Sequence, residues 1–192
     1  MNCTFACVRP NPKTWLDHQG QRTLSGQKIP VSVLVVMVSP RGDFLLIERA
    51  DKAGYWQSVT GSLDFPDESP LQAAVRELAE ETGFEATPTA IPTVLDADAG
   101  ELLKPGLLRP WPYSLQYEIF EHWRHRYPAG VTHNTEHWFV ACVPDGFTPR
   151  LAANEHVGYA WLNANEAAER CFSPNNAQAI LELNQKLQGK RS

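Results

Sequence analysis

The segment GSLDFPDESPLQAAVRELAEETGF, Gly61–Phe84, crowds Glu77, Glu80 and Glu81 into little more than one helical turn. On a helix Glu77 and Glu81 stand four apart and share a face, with Glu80 beside them. Like charges at this spacing cost an isolated helix about 0.2–0.5 kcal/mol per pair, so the crowding points to a positive guest. Carboxylates converging on one point suit a hard divalent cation, Mg2+ above all and Mn2+ next. Mg2+ sites with few protein carboxylates take their other ligands from substrate phosphates and water. Arg76, four residues before Glu80, is spaced to orient it by a charge-assisted hydrogen bond. The glutamates alone read better as a solvated acidic face; the ordered strand, glycine turn and capped helix around them favour a site.

The helix carrying them has clear punctuation. Ser69 is the N-cap, Pro70 takes the first helical position, Gln72 completes a capping box and Gly83 ends it. Leu71, Ala74, Val75, Leu78 and Thr82 form an inward face, which predicts the three glutamates on another side. Before it, Val31–Val38 is a β-branched run typical of a buried strand. Phe44–Arg49 pairs back after a turn, and Tyr55–Ser62 is a short strand entering the glycine turn. Residues 85–95 are expected as a strand broken by prolines. Asp96–Pro112, rich in Pro and Gly, is expected as a long loop, a candidate lid over a substrate. Tyr113–Tyr127 and Asn134–Val143 read as aromatic strands, His156–Leu162 as a further strand. Asn163–Glu166 opens a short helix, and Ser173–Gln188, with Ser173 as cap and Pro174 first, is a final amphipathic one. The order predicts an α/β domain over residues 28–188, a mixed sheet sandwiched between helices, after a loosely ordered extension at residues 1–27.

The 192 residues suit one domain, and 43% hydrophobic content an ordinary globular core. A net charge of −5 argues against general nucleic-acid binding. No apolar run reaches the roughly 20 residues of a membrane span, and the N-terminus lacks the pattern of a signal peptide. The scattered Cys3, Cys7, Cys142 and Cys171 read as reduced thiols of a cytoplasmic protein. No obligate protein partner is evident. His133 and His137 lack a companion at zinc spacing and read as structural.

Residues 61–84 resemble the Nudix box, G-x5-E-x7-R-E-U-x-E-E-x-G-U with U apolar. Gly61, Glu68, Arg76, Glu77, Leu78, Glu80, Glu81, Gly83 and Phe84 match in type and order. One extra residue stands between Gly61 and Glu68, which puts the role of Glu68 in question. KIPVSVLVV, YWQSVTGS, YEIFEHWRHRYPAGVTHNTEHWF and NEHVGYAWL are similar to one branch of that family. This is the branch that hydrolyses dihydroneopterin triphosphate in bacterial folate synthesis; the likeness runs from about Lys28 to Leu181. It implies a Nudix α/β/α sandwich, dependence on Mg2+ and cleavage of a small triphosphate to a monophosphate and pyrophosphate. A broader nucleoside triphosphate pyrophosphohydrolase of the dATP type shares the same metal chemistry.

The resemblance assigns metal binding to Glu77 and Glu81 with Glu80 in support and Arg76 orienting, and makes Glu155 a further ligand or the base that activates water. It carries substrate contacts onto Lys28, Arg49, Thr60, Ser173 and Tyr117–Phe120, where one alternating pair, Tyr117 with Ile119 or Glu118 with Phe120, lines a pterin pocket. Each has a plainer role as well: a surface glutamate, strand-end charges, a strand-favouring threonine, a helix cap, a half-buried edge strand. The patch His122–Tyr127 reads best as cations beside the phosphate site.

Overall fold

Strand β3 (Val31–Val38) is buried on both faces, which is why its apolar run is unbroken rather than alternating. Val33, Val35 and Met37 pack with Ala73, Ala74 and Leu78 of α1 (Pro70–Thr82), while Leu34, Val36 and Val38 pack with Ala179, Ile180 and Leu183 of α4 (Pro174–Leu187). The computed structural model describes residues 27–189 and two short paired strands before them, β1 (Trp15–Leu16) and β2 (Arg22–Thr23). The rest of the N-terminal extension, with Cys3 and Cys7, lies outside the described residues.

The remaining strands are β4 (Phe44–Arg49), β5 (Trp56–Gln57), β6 (Val59–Ser62), β7 (Thr87–Pro88), β8 (Leu107–Glu118), β9 (His133–Cys142) and β10 (His156–Leu162). They form a mixed eight-stranded sheet in the order β10-β4-β3-β9-β8-β7, with β5 on β4 and β6 on β3. Strand β3 runs parallel to β9 and antiparallel to β4 and β6. Along one side of β3 the partner changes: Val38 faces Phe44 of β4, whereas Ser32–Val35 face Val59–Ser62 of β6. The sheet therefore forks, and the fork opens a cleft at the N-terminal end of β3. Helix α1 covers one face and α4 the other, with α3 (Ala164–Arg170) joining the same cluster through Ala164 and Ala167. This is the α/β/α sandwich that the resemblance implies.

Several expected elements differ. Tyr55–Ser62 is two strands, split at Ser58, whose N–H donates to Asn176 Oδ1 of α4 at 2.7 Å. Within 85–95 only Thr87–Pro88 is strand. The expected loop Asp96–Pro112 contains a short helix, α2 (Ala99–Leu102), and the start of β8, whose ladder shifts register between Pro110 and Ser114. That bulge is what lets a strand carry Pro110 and Pro112. Ala97 and Leu102 sit in the core, and no residue of 96–112 lines the cleft, so the segment is a packed element and not a lid. Strand β8 stops at Glu118, and Glu121–Arg126 is a 3-10 helix rather than the continuing strand expected to Tyr127.

Candidate active site

Helix α1 is pinned at both ends. Gln72 N donates to Ser69 Oγ at 3.2 Å while Ser69 N donates to the Gln72 side chain at 2.8 Å. At the other end Gly83 adopts φ 70° and its N–H donates to Ala79 O, a left-handed cap that glycine favours. Between the caps the three glutamates meet different fates. Glu81 is only 4% exposed, against the expectation that it lies off the packed face. Glu77 lines the cleft and is mostly enclosed. The Glu80 side chain is 60% exposed and lines no part of the cleft.

Arg76 ties the box together. It donates through Nη1 to Glu77 Oε1 at 2.7 Å and to Glu80 Oε2 at 3.2 Å, through Nε to Glu68 Oε1 at 2.9 Å, and through Nη2 to Ser62 O at 3.0 Å. It does orient Glu80, but its shorter bonds go to Glu77 and Glu68. The extra residue before Glu68 does not displace it: Glu68 still reaches Arg76 and accepts from Asp64 N. Gly61 is glycine for want of space. A Cβ there would lie 2.0 Å from Glu77 Cδ, so the backbone of β6 and the Glu77 side chain touch only because no side chain intervenes.

Glu81 Oε2 accepts from Thr60 N at 3.3 Å, and its Oε1 lies 3.2 Å from His156 Nε2. Burial raises the Glu81 carboxyl above the ordinary range, opposed by His156. Burial likewise lifts Glu77 to about 7, opposed by the Arg76 guanidinium. A nearby cation would restore the charge that burial disfavours in both carboxyls.

The loop before β10 supplies the other half. Glu155 N donates to Ala152 O and Ala50 N to Glu155 O, which holds the backbone while the side chain stays exposed at the cleft. His156 follows, 5% exposed, beside a bulge between His156 and Gly158. His156 Nδ1 has no hydrogen-bond partner, and Nε2 faces Glu81 without the alignment of a hydrogen bond. One donor atom each from Glu81, Glu155 and His156 lie within 4.8 Å of one another. Two carboxylates and a buried imidazole form a donor set that fits a divalent cation.

The cleft is a cavity of about 1730 Å³. All the expected site residues line it except Arg76 and Glu80. Lys28 stands beside Ser62 Oγ (3.5 Å) and donates its backbone N–H to Arg126 O; burial first, then the Arg126 charge, lowers its ammonium pKa. Arg49 lines the wall with its fork engaged by Asp51 at 2.8 and 2.6 Å. Thr60 Oγ1 accepts from Gln57 at 2.9 Å. Because β8 ends at Glu118, the expected alternation breaks and Tyr117, Glu118, Ile119 and Phe120 all reach the cleft. Ser173 starts α4 but makes no side-chain cap bond, so its hydroxyl is left to the cleft. His156 was not anticipated; only its place after Glu155 signals it. Arg126, one member of the expected cationic patch, is the one of its arginines that lines the cleft.

This fold and this cluster define a class. The NUDIX domain family matches residues 28–183, and the chain belongs to that family, whose hydrolases work with divalent metal. It is 37% identical over 154 residues to the dihydroneopterin triphosphate diphosphatase of Escherichia coli K12, covering 80% of this chain and 91% of that one. The Haemophilus influenzae protein of the same name is 37% identical over 150 residues, covering 78% and 84%. Among solved structures, the E. coli dihydroneopterin triphosphate pyrophosphohydrolase superposes with a TM-score of 0.64 at 38% identity, covering 81% of this chain and 95% of that one. A C. elegans Ap4A hydrolase, at 18% identity and a TM-score of 0.58 over 84% and 99%, shares the fold.

Proposed function

We propose that the chain hydrolyses 7,8-dihydroneopterin triphosphate to dihydroneopterin monophosphate and pyrophosphate, with Mg2+ as the working ion and Mn2+ as a substitute. The observation that carries this reading is the 37% identity to the E. coli diphosphatase over 80% of the chain, and the cleft supplies chemistry to match. Glu81, Glu155 and His156 would hold the ion, with Glu77 one helical turn away on the same cleft wall. When bound, the ion neutralises phosphate charge and acidifies a water. Lys28 and Arg126 bring two cations to the cleft for the phosphate oxygens, and Arg49 adds a third by exchanging Asp51 for phosphate. Thr60 and Ser173 also line the cleft. Water adds across the bond between the first and second phosphates; its proton leaves to a cleft carboxylate. Positioning and charge are most of what phosphoryl transfer asks of a protein.

Free thiols at Cys142 and Cys171 suit the cytoplasm, where we place the protein. Among the described residues no helix is long and apolar enough to cross a membrane. The test is turnover of dihydroneopterin triphosphate, ATP and GTP with Mg2+, scoring pyrophosphate apart from phosphate. Preference for the pterin with pyrophosphate release supports the reading; equal rates on all three, or release of phosphate, overturn it.

A further inference from the structure

One buried carboxylate of the cleft has no part in that chemistry. Glu136 on β9 is 8% exposed and lines the cavity. Its Oε1 accepts from Trp138 Nε1 at 2.9 Å, and the Asn175 side chain, at the start of α4, favours its charged form. An ionised carboxylate has about four acceptor positions, so capacity remains on the side that faces the cavity. Burial raises the Glu136 carboxyl, and its charge in turn adds to the burial that pushes Tyr117 up to about 12. A buried, half-partnered carboxylate is costly to keep, and a ligand with N–H donors would complete it.

Register places it. Glu136 pairs with Ser32 of β3, and Ser32 with Ser62 of β6. Neighbouring strands lie about 4.8 Å apart, so Glu136 stands about 10 Å across the sheet from Ser62 by that spacing. Ser62 follows Gly61, on which Glu77 rests, and accepts at its oxygen from Arg76. The triphosphate end and Glu136 are thus two ends of one cavity, separated by a span that a side chain and a ring can bridge. Ile119, Phe120 and Trp123 line the same cavity, with Phe120 and Trp123 edge to face at 5.5 Å, and Tyr117 stands near enough to Glu136 to feel its charge. Apolar and aromatic walls around one aimed polar group are how a flat heterocycle is held and oriented.

We propose that Glu136 reads the heterocycle of the substrate. Its carboxylate accepts two N–H donors side by side, an amino group and the neighbouring ring N–H, the edge that pterin and guanine share. Adenine and cytosine set an acceptor nitrogen beside their amino group, so a lone pair would face the carboxylate. The inference rests on the chain being a hydrolase of heterocyclic triphosphates, as proposed above. A site built on a hydrogen bond rejects ligands that lack the partner because its own polar group is then left unpaired.

The experiment measures kcat/KM for dihydroneopterin triphosphate, GTP and ATP in the wild type and in Glu136→Gln, which keeps an acceptor for Trp138. Alongside, binding of phosphate-free neopterin and guanosine is followed by tryptophan fluorescence. The expected result is a fall of about 10²-fold in the ratio of pterin to ATP turnover, a parallel fall for GTP over ATP, and weaker binding of both free ligands. Glu136→Asp, which withdraws the charge by one methylene, gives a smaller fall in the same ratios and guards against a variant that fails to fold. Ratios and binding that stay at the wild-type value overturn the proposal, as does an equal loss on all three substrates. Should the wild type turn over none of the three, the functional reading fails by itself. The free-ligand binding then decides Glu136: weakened in the variant it stands, unchanged it falls.

Discussion

The two ends of the cleft are built on different principles. At the metal end each buried carboxylate has named company: Glu77 has Arg76, and Glu81 has Thr60 N and His156. Arg76 alone gathers Glu68, Glu77, Glu80 and the Ser62 carbonyl into one body. At the far end large rings stand open to solvent, Phe120 and Trp123 among them, on a 3-10 helix and the turn before it. The first end is preorganised, so the energy of placing its charges is spent in folding. The second keeps surface to cover, so its energy is gained when a ligand arrives. Reaction chemistry should therefore fail in kcat, and ligand choice in KM.

Changes at the metal end give the largest effects. EDTA, or Glu81→Gln, is expected to lower kcat about 10³-fold; Mg2+ restores the chelated enzyme, not the variant, and thermal melting shows the variant folded. Gly61→Ala comes next. Its methyl displaces the Glu77 carboxyl rather than the backbone, so kcat drops about 10²-fold with an unchanged melting temperature. Arg76→Ala leaves Glu68 and Glu77 enclosed without their partner and costs about 3 kcal/mol of stability, readable in a urea titration. His156→Gln weakens Mn2+ binding about 10-fold, measured by calorimetry on the resting protein. Smallest is Phe120→Ala at the open end: KM rises about 10-fold while kcat holds. A Phe120→Ala enzyme that lost kcat as heavily as Glu81→Gln would erase the division between the two ends.

Much of the metal end was legible because its signals are local. The Ser69–Gln72 box, Pro70 and Gly83 fix α1 within its own residues, and Val31–Val38 and Phe44–Arg49 were read to the residue because apolar runs bounded by turns leave little choice. The open end was less legible because tertiary context decides it. Prolines at 110 and 112 argue against a strand, yet a bulge opposite β9 absorbs them. The aromatic alternation through Tyr127 suggests a strand, yet the chain turns after Glu118, where Ile119 N reaches Thr132 O. Spacing put Glu80 with Glu77 and Glu81, but helix rotation against β3 decides which carboxylates the cleft receives. Glu136 carries no local mark and His156 only its place after Glu155; a histidine or glutamate in a strand becomes a site residue through what the sheet sets beside it.

The parallel pairing of β3 with β9 has a consequence for how the protein comes into being. Val31 lies beside Thr135, and Ser58 bonds Asn176 across 118 positions of chain. Contacts so distant in sequence form slowly, because the intervening chain must be closed before they repay its entropy. A fragment ending before α4 lacks the cleft wall that Ser173, Asn175 and Asn176 supply, so synthesis must pass α4 before the cleft is complete. Activity therefore appears late and all at once, which makes regained turnover after dilution from denaturant a reporter of the completed sheet.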